Sequence, residues 1–161
     1  MSLEIYTDGS AHPNPGPGGF GVVVVNQGTV IDLYDKQFKG PVTNNEMELK
    51  AILWAFLNYG VKIDGNQSQR IPIVYSDSAY CVNTLNDWCF GWARNGWVKS
   101  DKKTPENLKL IKVYHEWYEK GYRIQLKKIK GHAGHEFNEL ADQLATGQKH
   151  AEDLLYKQYL T

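Results

Sequence analysis

The sequence predicts an α/β fold: a three-stranded antiparallel meander followed by a layer in which strands and helices alternate. Three observations carry this. β-Branched runs separated by Pro/Gly-rich turns fill the chain up to Val42, and a helical period begins near Asn44. Beyond it, short apolar runs of strand length are each followed by a helical stretch.

At 161 residues one domain is expected, long enough to bury about two-thirds of the surface its unfolded chain exposes. Cys81 and Cys89 have no zinc-ligand spacing and are expected to be reduced, partly buried small apolar residues. Nothing at the N-terminus resembles a signal peptide, and no apolar run approaches the roughly 20 residues of a membrane span, so a cytoplasmic protein is expected. The formal net charge of +0 argues against strong nucleic-acid binding through bulk charge. Its distribution is less even. Basic residues gather late, as Arg94, Lys99, Lys102 and Lys103, and again as Lys120, Arg123, Lys127, Lys128 and Lys130, although each group also reads as a solvated face.

The first strand, Leu3 to Ser10, runs out of apolar residues at Asp8 and breaks into the loop Pro13-Asn14-Pro15-Gly16-Pro17-Gly18-Gly19. Phe20 to Val25 is the second strand, Asn26-Gln27-Gly28 a turn, and Val30 to Phe38 the third strand. Thr43-Asn44-Asn45-Glu46 places a hydroxyl three residues before a Glu, the capping-box pattern for a helix that runs to about Tyr59 and stops at Gly60.

At roughly 100° per residue, Glu48 of this helix falls on the apolar stripe of Ala51, Ile52, Ala55 and Tyr59. Glu46 instead points out beside Lys50, where a cap and a surface ion pair explain it. An ionised carboxylate on a core-facing stripe requires a buried Arg or Lys, a raised pKa or a metal ion.

Ile71 to Ser76 is a short strand that again ends at an acid, Asp77, whose ordinary reading is the N-cap of the helix through Tyr80, Val82 and Leu85. In an α/β layer the ends of neighbouring strands lie side by side, which would put Asp8 next to Asp77. From Trp88 to Lys103 aromatics interleave with glycine and then with cations, a combination suited to a nucleic-acid backbone and its sugars. At least one of Trp88, Trp92 and Trp97 is expected in the core. Thr104-Pro105 is read as the start of the next helix, ending at Gly121, with a final strand from Ile124 to Ile129.

Lys130-Gly131-His132-Ala133-Gly134-His135 brackets His132 with glycines on a loop, where a near-neutral side chain suits proton transfer, while His135 reads as a solvated side chain. The last well-patterned helix begins near Glu136, with an apolar arc of Phe137, Leu140, Ala141, Leu144 and Ala145. Asp142 lies at its edge beside Asn138, an unfavourable residue in mid-helix that asks for a reason. Residues after Gly147 fit either a helix or a loose tail.

In this order, Tyr6-Thr7-Asp8-Gly9-Ser10, Asn14 to Gly19, Thr43 to Leu49, Ser76-Asp77-Ser78, the tryptophans 88, 92 and 97, and Lys130 to His135 with Asn138, Glu139 and Asp142 resemble a type 1 ribonuclease H over residues 1–147, with 148–161 as a C-terminal extension or tail. The resemblance implies the ribonuclease H-like fold, a five-stranded mixed sheet with its first three strands antiparallel, flanked by helices. It implies an endonuclease that hydrolyses the RNA strand of RNA/DNA hybrids with two Mg2+ ions, Mn2+ being a possible substitute, and leaves 5′-phosphate and 3′-hydroxyl ends. Asp8, Glu48, Asp77 and Asp142 take the places of the metal-binding carboxylates, and His132 that of a histidine assisting proton movement and product release.

By the same resemblance Asn14, Asn45 and Glu48 contact 2′-hydroxyls, Thr43 and Asn45 a DNA phosphate, and Trp88 a deoxyribose. Asn44 lies between these contacts, and Trp92 with Arg94, Lys99, Lys102 and Lys103 belongs to a substrate handle. Pro13 departs from the glycine of many relatives and has no amide hydrogen to offer. A monomer with no obligate protein partner is expected, binding through this domain alone and weakening with salt. Three rivals remain. The aromatic segment and the Gly-His-Ala-Gly loop speak against a DNA-acting nuclease of the broader fold, and the complete carboxylate set against a catalytically silent hybrid-binding module. A dinucleotide site at Gly16 to Gly21 fails because the glycines lead into a strand.

Overall fold

The computed structural model describes residues 2–63, 70–130 and 135–160, apart from the side chains of 156–160. Strands β1 (Glu4–Ala11), β2 (Gly16–Asn26) and β3 (Thr29–Val42) form the antiparallel meander. Gln27 and Gly28 both have positive φ, +50° and +81°, which is the turn whose twist matches that of the flanking strands. After helix α1 (Asn44–Tyr59) and the short β4 (Val61–Lys62), β5 (Ile73–Ser76) pairs parallel to β1.

Helix α2 (Ala79–Asn83) passes through a π-helical turn (Thr84–Trp88) into α3 (Cys89–Arg94). Then come α4 (Leu108–Glu119), β6 (Tyr122–Arg123), β7 (Gln125–Lys128), α5 (Glu136–Ala145) and α6 (Ala151–Leu160). The main sheet has the order β3-β2-β1-β5-β7, its last two strands parallel to β1, and β4 with β6 makes a separate ribbon. This is the five-stranded mixed sheet that the resemblance implies.

Val22 and Val24 of β2 join the core beneath α1 with Ile5, Met47, Ile52 and Phe56. Val23 and Val25 join a second core with Tyr6, Leu33, Ala141 and Leu144. Burial on both faces explains why β2 reads as a continuous β-branched run.

Several boundaries differ from expectation for tertiary reasons. The first strand, expected over Leu3 to Ser10, spans Glu4–Ala11, and the second reaches back from Phe20 to Gly16, because the glycines of β2 pair with Ser10 and Ala11 there. Thr43 caps α1 as expected, its Oγ1 accepting from the Glu46 amide at 3.1 Å, and Gly60 ends that helix. Asp77 is not the cap of α2; the Ser78 hydroxyl accepts from the Cys81 amide at 3.1 Å instead.

Helix α4 starts at Leu108, since Asn107 takes a left-handed conformation (φ +57°) that a short polar side chain tolerates. None of the three tryptophans is fully buried: Trp92 and Trp97 pack against the core, whereas Trp88 is 43% exposed. Trp88 closes the π turn and is exposed, while Leu85 and Cys89, four residues apart, stay buried. Both cysteines are free and fully buried. Of the two readings of the C-terminus, the helix is the one found, with Ala151 buried against the second core. Among the described residues no helix is long and apolar enough to cross a membrane.

Candidate active site

The parallel pairing of β1 with β5 ends at Tyr6 opposite Tyr75, so Asp8 and Asp77 both lie just beyond it, on neighbouring segments of the sheet. Asp8 shares with Tyr6 the sheet face covered by α5. Glu48 arrives from the other side, on the second turn of α1. That helix can come so near because residue 9 is glycine: a methyl there would overlap the backbone of Met47 and Glu48. Single carboxylate oxygens of Asp8, Glu48 and Asp77 consequently lie within 4.8 Å of one another. Asp142, on α5, shares a hydrogen bond with Asp8.

The electrostatics of this group are unfavourable for the protein alone. Asp8 is pushed up from 3.8 to about 8, chiefly by burial, then by the hydrogen bond its protonated carboxyl donates to Asp142 and by the charges of Asp77 and Asp142; the Gly9 amide opposes the shift. Burial, followed by the charges of Asp8 and Asp77, also holds Glu48 well above the usual carboxylate range. The Ser76 hydroxyl, 3.4 Å from Glu48 Oε2, works against that. Among the described residues no Lys, Arg or His makes an ion pair with any of the four acids. Clustered hard oxygen donors without a cationic side chain fit a divalent cation of the Mg2+ or Mn2+ type.

His132 lies outside the described residues. His135, expected as a solvated side chain, is exposed but sets its ring 4.9 Å from that of Tyr6. Beside the acids, Asn14 Oδ1 accepts from the Asn44 amide (3.1 Å) and Asn44 Oδ1 from the Ala11 amide (2.7 Å). These bonds pin the first loop to the start of α1. Both asparagines are exposed, and Thr43 and Asn45 flank Asn44 on the same turn.

Trp88, Trp92 and Lys99 line one cleft of about 220 Å³ together with Tyr80 and Glu106, which the sequence reading missed. Tyr80 follows Asp77 by three residues at the start of α2, and that spacing was the available signal. The Lys99 and Lys103 backbones close a turn, Lys99 donating to the Lys103 carbonyl at 2.9 Å. Arg94, Lys102 and Lys103 are exposed on the same segment, outside the cleft lining.

The family model for RNase H matches residues 1–150. Proteins named Ribonuclease H from Thermoanaerobacter sp. (strain X514) and Chromobacterium violaceum are 40% and 37% identical to the chain, covering 91% and 89% of it and 88% and 91% of their own lengths. A solved structure of LC11-RNase H1 in complex with RNA/DNA hybrid is 26% identical with a TM-score of 0.64, covering 96% of this chain and 99% of that one. LC9-RNase H1, described as a type 1 RNase H with the type 2 active-site motif, is 29% identical at the same TM-score, covering 89% of this chain and 69% of its own. With the sheet order, the acidic convergence and these likenesses in agreement, the chain belongs to the RNase H family, as a type 1 ribonuclease H domain of the bacterial kind.

Proposed function

We propose that the chain is a metal-dependent endonuclease that hydrolyses the RNA strand of RNA/DNA hybrids and leaves 5′-phosphate and 3′-hydroxyl ends. The observation that carries this is the convergence of Asp8 from within β1, Asp77 from just past the end of β5 and Glu48 from α1 at one point, without a cationic partner among the described residues. Relatives named Ribonuclease H and a hybrid complex in the same fold support the substrate.

A pair of divalent ions, Mg2+ or Mn2+, supplies when bound an activated water and a charge sink for in-line displacement at phosphorus. Asp8, Glu48 and Asp77 would hold it, with Asp142 completing the set from the α5 side. Their mutual repulsion is relieved only by positive charge, which makes the site selective for a cation-bound scissile phosphate. Ser76 fixes Glu48 through its hydroxyl. His132 is assigned the movement of a proton as product leaves, a role that an imidazole side chain suits.

Strand choice rests on sugar chemistry. Only RNA offers 2′-hydroxyls, and Asn14, Asn45 and Glu48 are assigned hydrogen bonds to them that would select that strand. Thr43, Asn44 and Asn45 at the start of α1 are assigned to a DNA phosphate. Trp88 presents an exposed ring for a deoxyribose, beside Trp92. Arg94, Lys99, Lys102 and Lys103 add phosphate contacts that weaken with salt.

We assign residues 1–147 to the catalytic unit and 148–161 to an extension packed on it. The chain is taken to act as a cytoplasmic monomer, and its two free buried cysteines fit a reducing compartment. Purified protein with Mg2+ is expected to cut the RNA strand of a hybrid, to spare RNA/RNA and DNA/DNA duplexes, and to stop in EDTA. Equal cutting of all three duplexes overturns the specificity, and tight hybrid binding with no cutting replaces the enzyme by a silent binding module.

A further inference from the structure

Strand β3 runs past the joint between α5 and α6 carrying Asp35 and Gln37, two residues apart and so on one face of the strand. Gln37 Nε2 donates to the carbonyls of Leu144 (2.9 Å) and Ala145 (3.3 Å), in the last turn of α5, the Leu144 carbonyl also accepting from the Gly147 amide just past the helix. Asp35 Oδ1 accepts from the Ala151 amide (2.9 Å), the first of α6, and Oδ2 lies 3.2 Å from His150 Nδ1. One strand thus caps the end of one helix and the beginning of the next.

The seat beneath the joint is built from the same rows. Gly19 and Gly21 of β2 are the register partners of Gln37 and Asp35. A side chain at Gly19 would overlap the Ala145 carbonyl, and one at Gly21 the Ala141 carbonyl and Leu144, so α5 lies flush on these glycines. Gly21 is also the register partner of Asp8 on β1. Asp8, Gly21 and Asp35 therefore form one row across three strands, with a spacing set at about 4.8 Å per strand by the backbone ladder. Asp142 is next to Ala141, which rests on this row.

We propose that Asp35 and Gln37 are positioning residues for Asp142: by gripping the α5–α6 joint they hold the helix at the height that brings Asp142 against Asp8. This rests on the reading that those two acids take part in holding the divalent cations. Neither side chain touches the acidic cluster, and neither belongs to the hybrid contacts proposed above.

The test compares the double variant Asp35→Ala/Gln37→Met, its two singles, and two variants that keep the bonding groups: Asp35→Asn, which retains an acceptor for the Ala151 amide, and Gln37→Arg, which retains N–H donors. Two readouts are taken, the Mn2+ concentration giving half of the metal-induced rise in melting temperature, and kcat and KM on a hybrid. The double variant is expected to need about 3–10-fold more Mn2+, somewhat less than the roughly 10–100-fold that follows loss of a group touching a metal ligand. Its kcat at limiting metal falls in proportion while the hybrid KM is unchanged, and Asp35→Asn and Gln37→Arg stay within about twofold of the parent.

A Mn2+ midpoint unmoved in the double variant, whatever its melting temperature without metal, overturns the positioning role; should the double variant not fold, the singles decide in the same way. A wild-type protein that Mn2+ does not stabilise sinks both this role and the metal-dependent reading. A wild type that binds Mn2+ and cuts hybrids alongside an unaffected double variant sinks only the role.

Discussion

Tyr6 and Tyr75 are register partners across β1 and β5, with ring centroids 5.0 Å apart, and each stands two residues ahead of an acid of the cluster. The separation of Asp8 from Asp77 is therefore inherited from a stacked aromatic pair inside the sheet. Loops do not set it. A site so rigidly held can be probed by changing charge without moving the frame.

Asp8→Asn is the most direct such change. It keeps size and removes one ligand, so turnover should fall by more than about 100-fold, beyond the loss typical of a residue that only supports a ligand. Hybrid affinity measured with Ca2+ or without metal should persist. Retained cleavage would remove Asp8 from the metal site.

The same variant makes a prediction for stability. Because Asp8 is raised from 3.8 to about 8 in the folded protein, its contribution to stability is complete below about pH 4 and is lost as pH climbs toward 8, when the unfolded chain ionises and the native state resists. In EDTA, the wild type should melt progressively below Asp8→Asn across that interval, and Mg2+ should recover the difference. Parallel melting curves from pH 4 to 8 would show that the buried charge is not frustrated.

Trp88→Ala tests the proposed sugar platform. The side chain is 43% exposed, so melting should barely change, whereas stacking losses of about 1–3 kcal/mol should appear in hybrid KM or binding. An unchanged KM would leave the aromatic cleft without a part in recognition.

Gly9→Ala should be far more damaging than its single methyl implies. The new Cβ meets the backbone of α1, which has no flexible end to swing away, so helix and strand must separate. Both melting temperature and metal-dependent activity should drop; a variant with wild-type values for both would show that α1 is free to shift.

His132→Ala should slow the reaction without stopping it, most visibly in kcat at the product-release stage. Identical single- and multiple-turnover rates to wild type would exclude a proton-moving role.

The acid on the apolar stripe of α1 was legible because helical period and burial demand agree at Glu48, and nothing else in that helix explains it. The three-strand meander was legible for a similar reason, since turn residues and β-branched runs alternate cleanly there. What escaped reading was set by partners distant in sequence. The second strand reaches back to Gly16 because Gly18 and Gly19 pair with Ala11 and Ser10. The start of α4 moved when Asn107 adopted a left-handed turn ahead of it, and the helical C-terminus depends on Asp35, more than a hundred residues upstream. Tyr80 and Glu106 become neighbours of Trp88 only in three dimensions.

The triplet Ser76-Asp77-Ser78 divides labour in a way that bears on how such a site can change. Ser76 closes the strand and steadies Glu48, while Ser78 starts the following helix. The middle residue is thereby excused from any architectural duty. Exchanges at position 78 should be felt as helix stability and exchanges at position 77 as charge, so the two properties can drift independently even though a single peptide unit joins them.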